Sequence, residues 1–165
     1  MMVDPRLAAM GIRMILTKNA VPTIGDLKEC DSNDYELLRI SLGVPDGVQD
    51  MQFQKTILLE AGFDELKGIC WKKGCYMGQE LTARTKYRGL IKRRLIPVSV
   101  DGTLPEPGTF IMFGKKEAGE IRSGVSNAAM ALMRLNILEE WSRLGGELTA
   151  GSSCVMPQKQ SWMNF

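Results

Sequence analysis

The second half of the sequence consists of short apolar runs separated by turn residues. From Lys92 onward the runs are RRLIPVSV, DGTLPEPGT, FIMFGKKEAGEIRSG, MALMRL and GGELTAGSSCVM. Alternating runs of this length between glycines and prolines are typical of antiparallel strands in a small barrel or sandwich. We therefore predict a β domain here, in which the runs at 95–100 and 131–135 each turn one face inward.

The first ninety residues carry helix signals instead. The stretch DSNDYELLRISLGVPDG has capping residues at Asp31 and Ser32 and a stop at Gly43, which predicts a short amphipathic helix. The opening DPRLAAMGIRMIL reads as an extended segment, and KTILLEAGFDELKGICWKK is ambiguous, with room for a turn near Gly62 and a strand at 69–71. The apolar positions of the predicted helix are Tyr35, Leu38 and Leu42.

A change of pattern near residues 89–92 divides the chain into an α+β region at 1–90 and a β domain at 91–165. With 165 residues, 44% of them hydrophobic, the chain can form one sizeable domain or two small ones. It contains no run of about 18 apolar residues, so we predict no membrane-spanning helix. No cationic, apolar leader opens it, and we expect a soluble protein of a reducing compartment.

The sequence contains no histidine, which removes several kinds of site from consideration. Within this chain there can be no imidazole general base, no Ser/His or Cys/His nucleophile pair and no mixed Cys/His zinc site. The cysteines form no CxxC pair, so we predict no metal site. They are Cys30, Cys70, Cys75 and Cys154.

Basic residues are concentrated in the segment 72–94, where eight of them stand against the single acid Glu80. A helix is predicted from Gly78 to Gly89. On it Glu80, Arg84 and Arg88 would share one face, either as an ordinary surface ion pair or as a fork of donors for a carboxylate or phosphate. A plain RNA-binding module is a further alternative, although Tyr76 and Tyr87 are few for a stacking platform.

Cys75 lies just ahead of this helix, in the sequence KKGCYMG. Unpaired N–H groups at the helix start, together with Lys72 and Lys73, would favour a thiolate, which can act as a nucleophile, a ligand or a redox sensor. The alternative is a small buried apolar residue, as many free cysteines are. Cys70, between Ile69 and Trp71, is expected to be buried and inert.

The stretch KGCYMGQELTAR, with Gly89 five residues on, resembles the KGC(Y/F)xGQExxxRxxxxG signature of the YgfZ family of folate-binding proteins. These proteins are relatives of the aminomethyltransferase, or T-protein, of the glycine cleavage system, and they support iron–sulfur cluster assembly and tRNA modification. The segments DPRLAAMGIR and YELLRISLGVPDG resemble parts of the family upstream of the signature. The β-rich tail resembles its C-terminal barrel.

The resemblance implies an α+β fold, the C-terminal portion of a T-protein-like cloverleaf, with an α/β segment followed by an antiparallel β-barrel. In the family three subdomains surround a channel for tetrahydrofolate, and this chain would begin near the end of the second. The resemblance makes Cys75 the residue on which function depends. The residues expected to bind folate are Lys73, Tyr76, Gln79, Glu80, Arg84 and Arg88.

The function implied is a folate-binding accessory protein that supports iron–sulfur cluster assembly or repair and tRNA modification. The alternative is an aminomethyltransferase that passes a one-carbon unit to tetrahydrofolate, although Ser41 stands where T-proteins tend to carry glutamate. Folate and iron–sulfur proteins are the expected partners, with neither a membrane nor nucleic acid as a direct partner. The expected compartment is the cytoplasm, or the mitochondrial matrix in a eukaryote.

Overall fold

The computed structural model describes residues 1–20, 22, 25, 27–89 and 91–165. Leu90, at the predicted boundary, lies outside the described residues. Among the described residues, no helix has the length and apolar character needed to cross a membrane. In chain order the elements are β1 (Met2–Val3), a 3-10 turn (Ala8–Met10), β2 (Ile12–Arg13), α1 (Ser32–Ser41), α2 (Gln79–Tyr87), β3 (Arg93–Asp101), β4 (Phe110–Phe113), β5 (Lys116–Val125), β6 (Ala128–Arg134), α3 (Leu135–Leu144), β7 (Leu148–Ala150) and β8 (Ser153–Pro157).

Six strands close into a barrel in the order β3-β6-β5-β4-β7-β8, and every neighbouring pair is antiparallel. The predicted α+β fold with an antiparallel barrel is therefore confirmed. The barrel interior is filled by apolar side chains that alternate along the strands, as the two-residue period of a strand requires. From β3 these are Ile96, Val98 and Val100.

The outer face of β3 is buried as well, because the preceding segment packs against it. Leu95 is 5% exposed and clusters with Ile40, Ala61 and Met130. One face of β3 points into the barrel as predicted, and the segment that precedes β3 covers its other face. In the run 131–135 the strand ends at Arg134, and Leu135 begins α3, a helix that the sequence analysis did not predict.

Helix α1 begins where predicted, because Asp31 and Asp34 form a reciprocal capping box. Its buried residues, however, are Arg39 and Ile40. Tyr35 and Leu38, two of the positions predicted to form the apolar face, are 42% and 41% exposed. The helix therefore contacts the barrel through a face that contains a charged side chain.

The structure differs from the predictions for the opening segment and for residues 69–71. The opening segment is not extended throughout, since β1 and β2 pair as a short hairpin around the 3-10 turn. The segment 69–71 contains no strand, so the strand considered there was wrong. A series of turns across residues 53–67 brings the chain to the outside of the barrel, where the Leu95 N–H donates to the Glu60 carbonyl at 2.8 Å.

Candidate functional site

The residues 72–78, here called the cysteine loop, lead directly into α2. The loop closes on the helix through two bonds between the same residues. The backbone N–H of Gln79 donates to the Tyr76 carbonyl at 3.2 Å, and the Tyr76 N–H donates to the Gln79 side-chain oxygen at 3.3 Å. Between them Gly78 has a φ of +85°, a left-handed conformation that glycine adopts at little cost. The sequence YMGQ therefore fixes the turn that precedes the helix.

Cys75 is exposed on this loop and is not in a disulfide. Burial as a small apolar residue, the alternative considered from the sequence, is thus not observed. Cys30, Cys70 and Cys154 are also free and exposed. The prediction that Cys70 is buried was wrong, because the segment around it is a surface loop and not a core strand.

A polar network anchors α2 to the loop before it. Asp64 accepts a hydrogen bond from the Trp71 indole and another, at 2.7 Å, from the Lys86 ammonium group. The same ammonium lies 4.2 Å from the centre of the Trp71 ring, a cation–π distance. Burial alone would raise the pKa of Asp64, but the bonds from Lys86 and Trp71 outweigh it and hold the pKa below its usual value.

A cleft of about 490 Å³ lies between the segment 54–59 and the cysteine loop with α2. We call it the signature cleft. One wall combines the polar run 54–56 with the apolar run 57–59, and the other presents the side chains of Lys73 and Tyr76, whose ammonium and ring centre are 4.7 Å apart. The other lining residues are Gln54, Lys55, Thr56, Ile57, Leu58, Leu59, Gly68, Ile69, Cys70, Met77, Gly78, Leu81, Thr82 and Thr85.

The structure divides the predicted site residues into two groups. Lys73 and Tyr76 line the signature cleft, whereas the lining in the described part of the chain does not include Cys75 or Gln79. The lining also leaves out three charged residues of α2 and its C-cap that are exposed on another face of the helix. They are Glu80, Arg84 and Arg88.

The predicted ion pair between Glu80 and Arg84 is not formed among the residues that the structure describes. Both side chains are solvent-exposed. The guanidinium groups of Arg84 and Arg88 are consequently available to an anion that approaches this face.

Sequence reasoning missed the other half of the cleft. The run Ile57, Leu58 and Leu59 was visible as an apolar stretch, but its place opposite the cysteine loop depends on the turns across 53–67. Cys70 was placed in the core by its apolar neighbours. Within the described residues, no group of three or more potential Cys, Asp or Glu ligands could hold a metal ion.

The second half of the chain is similar to a known domain family. Residues 92–165 match the family model described as the CAF17 C-terminal beta-barrel domain. The barrel is thus similar to this C-terminal domain. This range begins one residue before β3 and includes every strand of the closed barrel together with α3.

Several curated proteins are similar to a larger part of the chain. The mouse protein named iron-sulfur cluster assembly factor IBA57, mitochondrial, is 36% identical over 137 residues, which cover 79% of this chain and 38% of the relative. The human protein of the same name is 36% identical over 135 residues, with the same two shares. A homologue from Dictyostelium discoideum is 44% identical over 101 residues, 59% of this chain and 25% of the relative. The chain thus spans 38% of the length of the mouse and human relatives.

Proposed function

We propose that this chain supports the assembly or repair of iron–sulfur clusters, with the thiol of Cys75 as its functional group. The observation that carries the proposal is the exposed, unpaired Cys75 on a loop that Gly78 and the Tyr76–Gln79 bonds hold at the start of α2. The names of the mouse and human relatives supply the process. Their names also point to the mitochondrion, so we propose the matrix as the compartment in a eukaryote.

A thiol in this position can react with an incoming partner or bind a metal transiently. It is exposed, and in the chain it lies between the lysines of the cysteine loop and the start of α2. Both properties favour contact with an electrophile or a cluster presented by another protein. We therefore propose iron–sulfur proteins as partners, with the cluster as cargo.

The YgfZ resemblance extends the proposal to tRNA modification and to tetrahydrofolate as a ligand. The signature cleft fits such a ligand in size and in chemistry. Its volume of about 490 Å³ is within the usual range of small-molecule pockets. Its apolar run 57–59 suits an aromatic ring system, while Lys73, Thr82 and Tyr76 offer polar groups that could orient it.

The charged face of α2 would serve the other end of a folate. Folates end in carboxylates, and Arg84 and Arg88 are exposed donors on the helix that borders the cleft. Because these contacts would lie in solvent, salt should weaken them. We propose that the ring occupies the cleft and that the carboxylates lie toward these arginines.

The aminomethyltransferase alternative has less support from this geometry. Such a transferase needs an acidic group near the folate amine. Among the described residues, the lining of the signature cleft contains no aspartate or glutamate. A binding role therefore fits the cleft better than a transfer reaction.

The location of the ligand can be tested through Cys70, which lines the cleft, with Cys154 on the barrel as an internal reference. Saturating tetrahydrofolate should slow alkylation of Cys70 and leave the rate at Cys154 unchanged. Mass spectrometry of both peptides over time gives the two rates. Unchanged rates at Cys70 with folate demonstrably bound would contradict the proposed location.

The cellular role is tested by replacing Cys75 in the full-length protein. In cells that depend on it for iron–sulfur enzyme activity, Cys75→Ser should fail to restore that activity, while Cys154→Ser should restore it. Both exposed positions tolerate serine, so equal protein levels by immunoblot are expected. Full restoration by Cys75→Ser would remove the thiol from the function.

A further inference from the structure

A second cavity lies between the outside of the barrel and the segment 50–60, and it shares Lys55 and Thr56 with the signature cleft. Its volume is about 150 Å³, and its lining is mostly polar. It is too small for a folate and large enough for a carboxylate or a phosphate group. Its lining residues are Asp50, Gln52, Lys55, Thr56, Glu60, Arg93, Leu95, Arg122 and Leu132.

Arg122 lies on the outer side of the barrel at an irregularity in β5. The register between β5 and β6 shifts between Ile121 and Ser123, so that Arg122 is an extra residue in the strand. Such a β-bulge redirects side chains that would otherwise alternate. As a result Arg122, which lines the cavity, and the next residue, Ser123, which bonds to Asp50, lie on the same outer side of the barrel.

The Arg122 guanidinium is incompletely satisfied. Its side chain is only 10% exposed, and one terminal nitrogen lies 3.1 Å from the Glu120 carboxylate. Its Nε, in contrast, is buried and has no hydrogen-bond partner. A buried donor left unpaired costs about 1–3 kcal/mol, so a ligand that accepts this hydrogen bond would be stabilised.

The carboxylates that line the cavity are engaged elsewhere. Asp50 accepts bonds from Arg39 and from the Asp46 N–H, each at 2.7 Å, and a further bond from Ser123. Glu60 contacts Arg93 at 3.3 Å. Each carboxylate therefore has a cationic partner, although Arg39 also contacts Glu36 at 2.6 Å and Arg93 itself lines the cavity.

Two further donors remain for an anion. Among the described residues, Lys55 forms no ion pair. The Thr56 hydroxyl oxygen accepts the Gln52 N–H at 2.7 Å, which leaves its proton free to donate. With Arg122 these groups form a cationic, donor-rich lining.

We propose that this cavity is a binding site for a small oxyanion, a carboxylate or a phosphate group, held by Arg122 and Lys55. The proposal does not depend on the function of Cys75. Because Lys55 and Thr56 also line the signature cleft, the test below is made without folate. A bound anion would accept the orphaned N–H of Arg122 and balance the charge of Lys55. It would also join the barrel to the segment 50–60.

The proposal is tested by thermal unfolding of the whole chain with inorganic phosphate or acetate, at an ionic strength held constant with sodium chloride. At about five times its dissociation constant, a bound anion should raise the Tm by roughly 2–4 °C. Arg122→Gln and Lys55→Gln should each lose most of this rise. Lys116→Gln, on the same strand but in an exposed pair with Glu140, should keep it.

The two anions distinguish the chemistry of the ligand. A response to phosphate alone assigns a phosphate group, a response to acetate alone assigns a carboxylate, and a response to both assigns the shared oxyanion chemistry. Lys55 is exposed, so Lys55→Gln keeps the test valid even if Arg122→Gln fails to fold. The proposal would be overturned if neither phosphate nor acetate raises the Tm, or if the rise is equal in Lys55→Gln and the wild type.

Discussion

The guanidinium of Arg39 lies 2.7 Å from the carboxylate of Asp50, and the two side chains are 2% and 0% exposed. Arg39 also donates to the Ser123 hydroxyl at 3.1 Å, which ties α1 to β5. A buried, hydrogen-bonded pair of this kind joins the α region to the barrel through directional contacts that an apolar interface lacks. The position of everything that precedes β3 depends in part on it.

We expect Asp50→Ala to destabilise the protein strongly, because the buried Arg39 would keep only Glu36 as an ion partner, and the Asp46 N–H and the Ser123 hydroxyl would lose their acceptor. The free energy of unfolding should fall by about 3–5 kcal/mol, the usual cost of breaking a buried pair from one side. Urea denaturation measures the change. Arg134→Ala, which breaks an exposed pair with Glu117, should cost about 1 kcal/mol or less. A similar small loss in both variants would show that the Arg39–Asp50 pair is not a structural anchor.

The starts of α1 and α2 could be predicted from the sequence, whereas the buried Arg39–Asp50 pair could not. Capping at Asp31 and the glycine turn at Gly78 are local signals, and α1 and α2 begin where those signals place them. The burial of Arg39 depends on Asp50 and on Ser123, 84 residues away, and no local pattern encodes that partnership. Because charged side chains are usually exposed, the sequence alone would place Arg39 at the surface.

In the barrel and the candidate site, too, features set by local sequence were predicted and features set by tertiary packing were not. Short alternating runs indicated the antiparallel strands, because the period of two reflects backbone geometry. The bulge at Arg122 depends on pairing between β5 and β6, and the exposure of Cys70 depends on how the chain turns across 53–67. Cys75 was singled out from its neighbours in sequence, whereas the cleft beside it arises only from tertiary packing.

Asp4 should make stability depend on pH in the acid range. Its carboxylate accepts bonds from Arg6 at 2.9 Å and from Arg13 at 2.6 Å, and the Arg6 bond is the main reason that its pKa lies well below the usual value. A lowered pKa in the folded state means that the stabilisation is complete above about 3.9, the pKa of an unperturbed aspartate, and is lost as the pH falls below that value.

The difference in unfolding free energy between the wild type and Asp4→Asn should therefore be larger at pH 6 than at pH 3, as measured by urea denaturation at both pH values. Asn136→Ala, at an exposed position of α3 that carries no titratable group, serves as the control and should differ equally from the wild type at both pH values. If the Asp4→Asn difference does not change with pH, the arginine contacts do not hold in solution.

Asp64 should control how firmly α2 is attached. Its bonds to Lys86 and Trp71 link the helix to the loop that precedes the cysteine. Removing them in Asp64→Ala should cost about 1 kcal/mol locally and raise amide hydrogen exchange in α2 about fivefold. Barrel amides in β6 should be unaffected. Glu140→Ala, which breaks another lysine pair, is the control and should leave α2 exchange unchanged.

The claim that Cys75 is the working thiol is tested most directly by alkylation of the folded chain at neutral pH. All four cysteines are exposed, so differences in rate report their chemical surroundings. Mass spectrometry of the four peptides during iodoacetamide treatment gives each rate, and the same experiment in urea provides the reference in which the rates should converge. We expect Cys75 to react fastest in the folded protein, because Lys72 and Lys73 precede it and a helix start follows it, whereas Cys30, also before a helix, stands between the acids Glu29 and Asp31. Faster reaction of Cys30, Cys70 or Cys154 in the folded state would contradict the account.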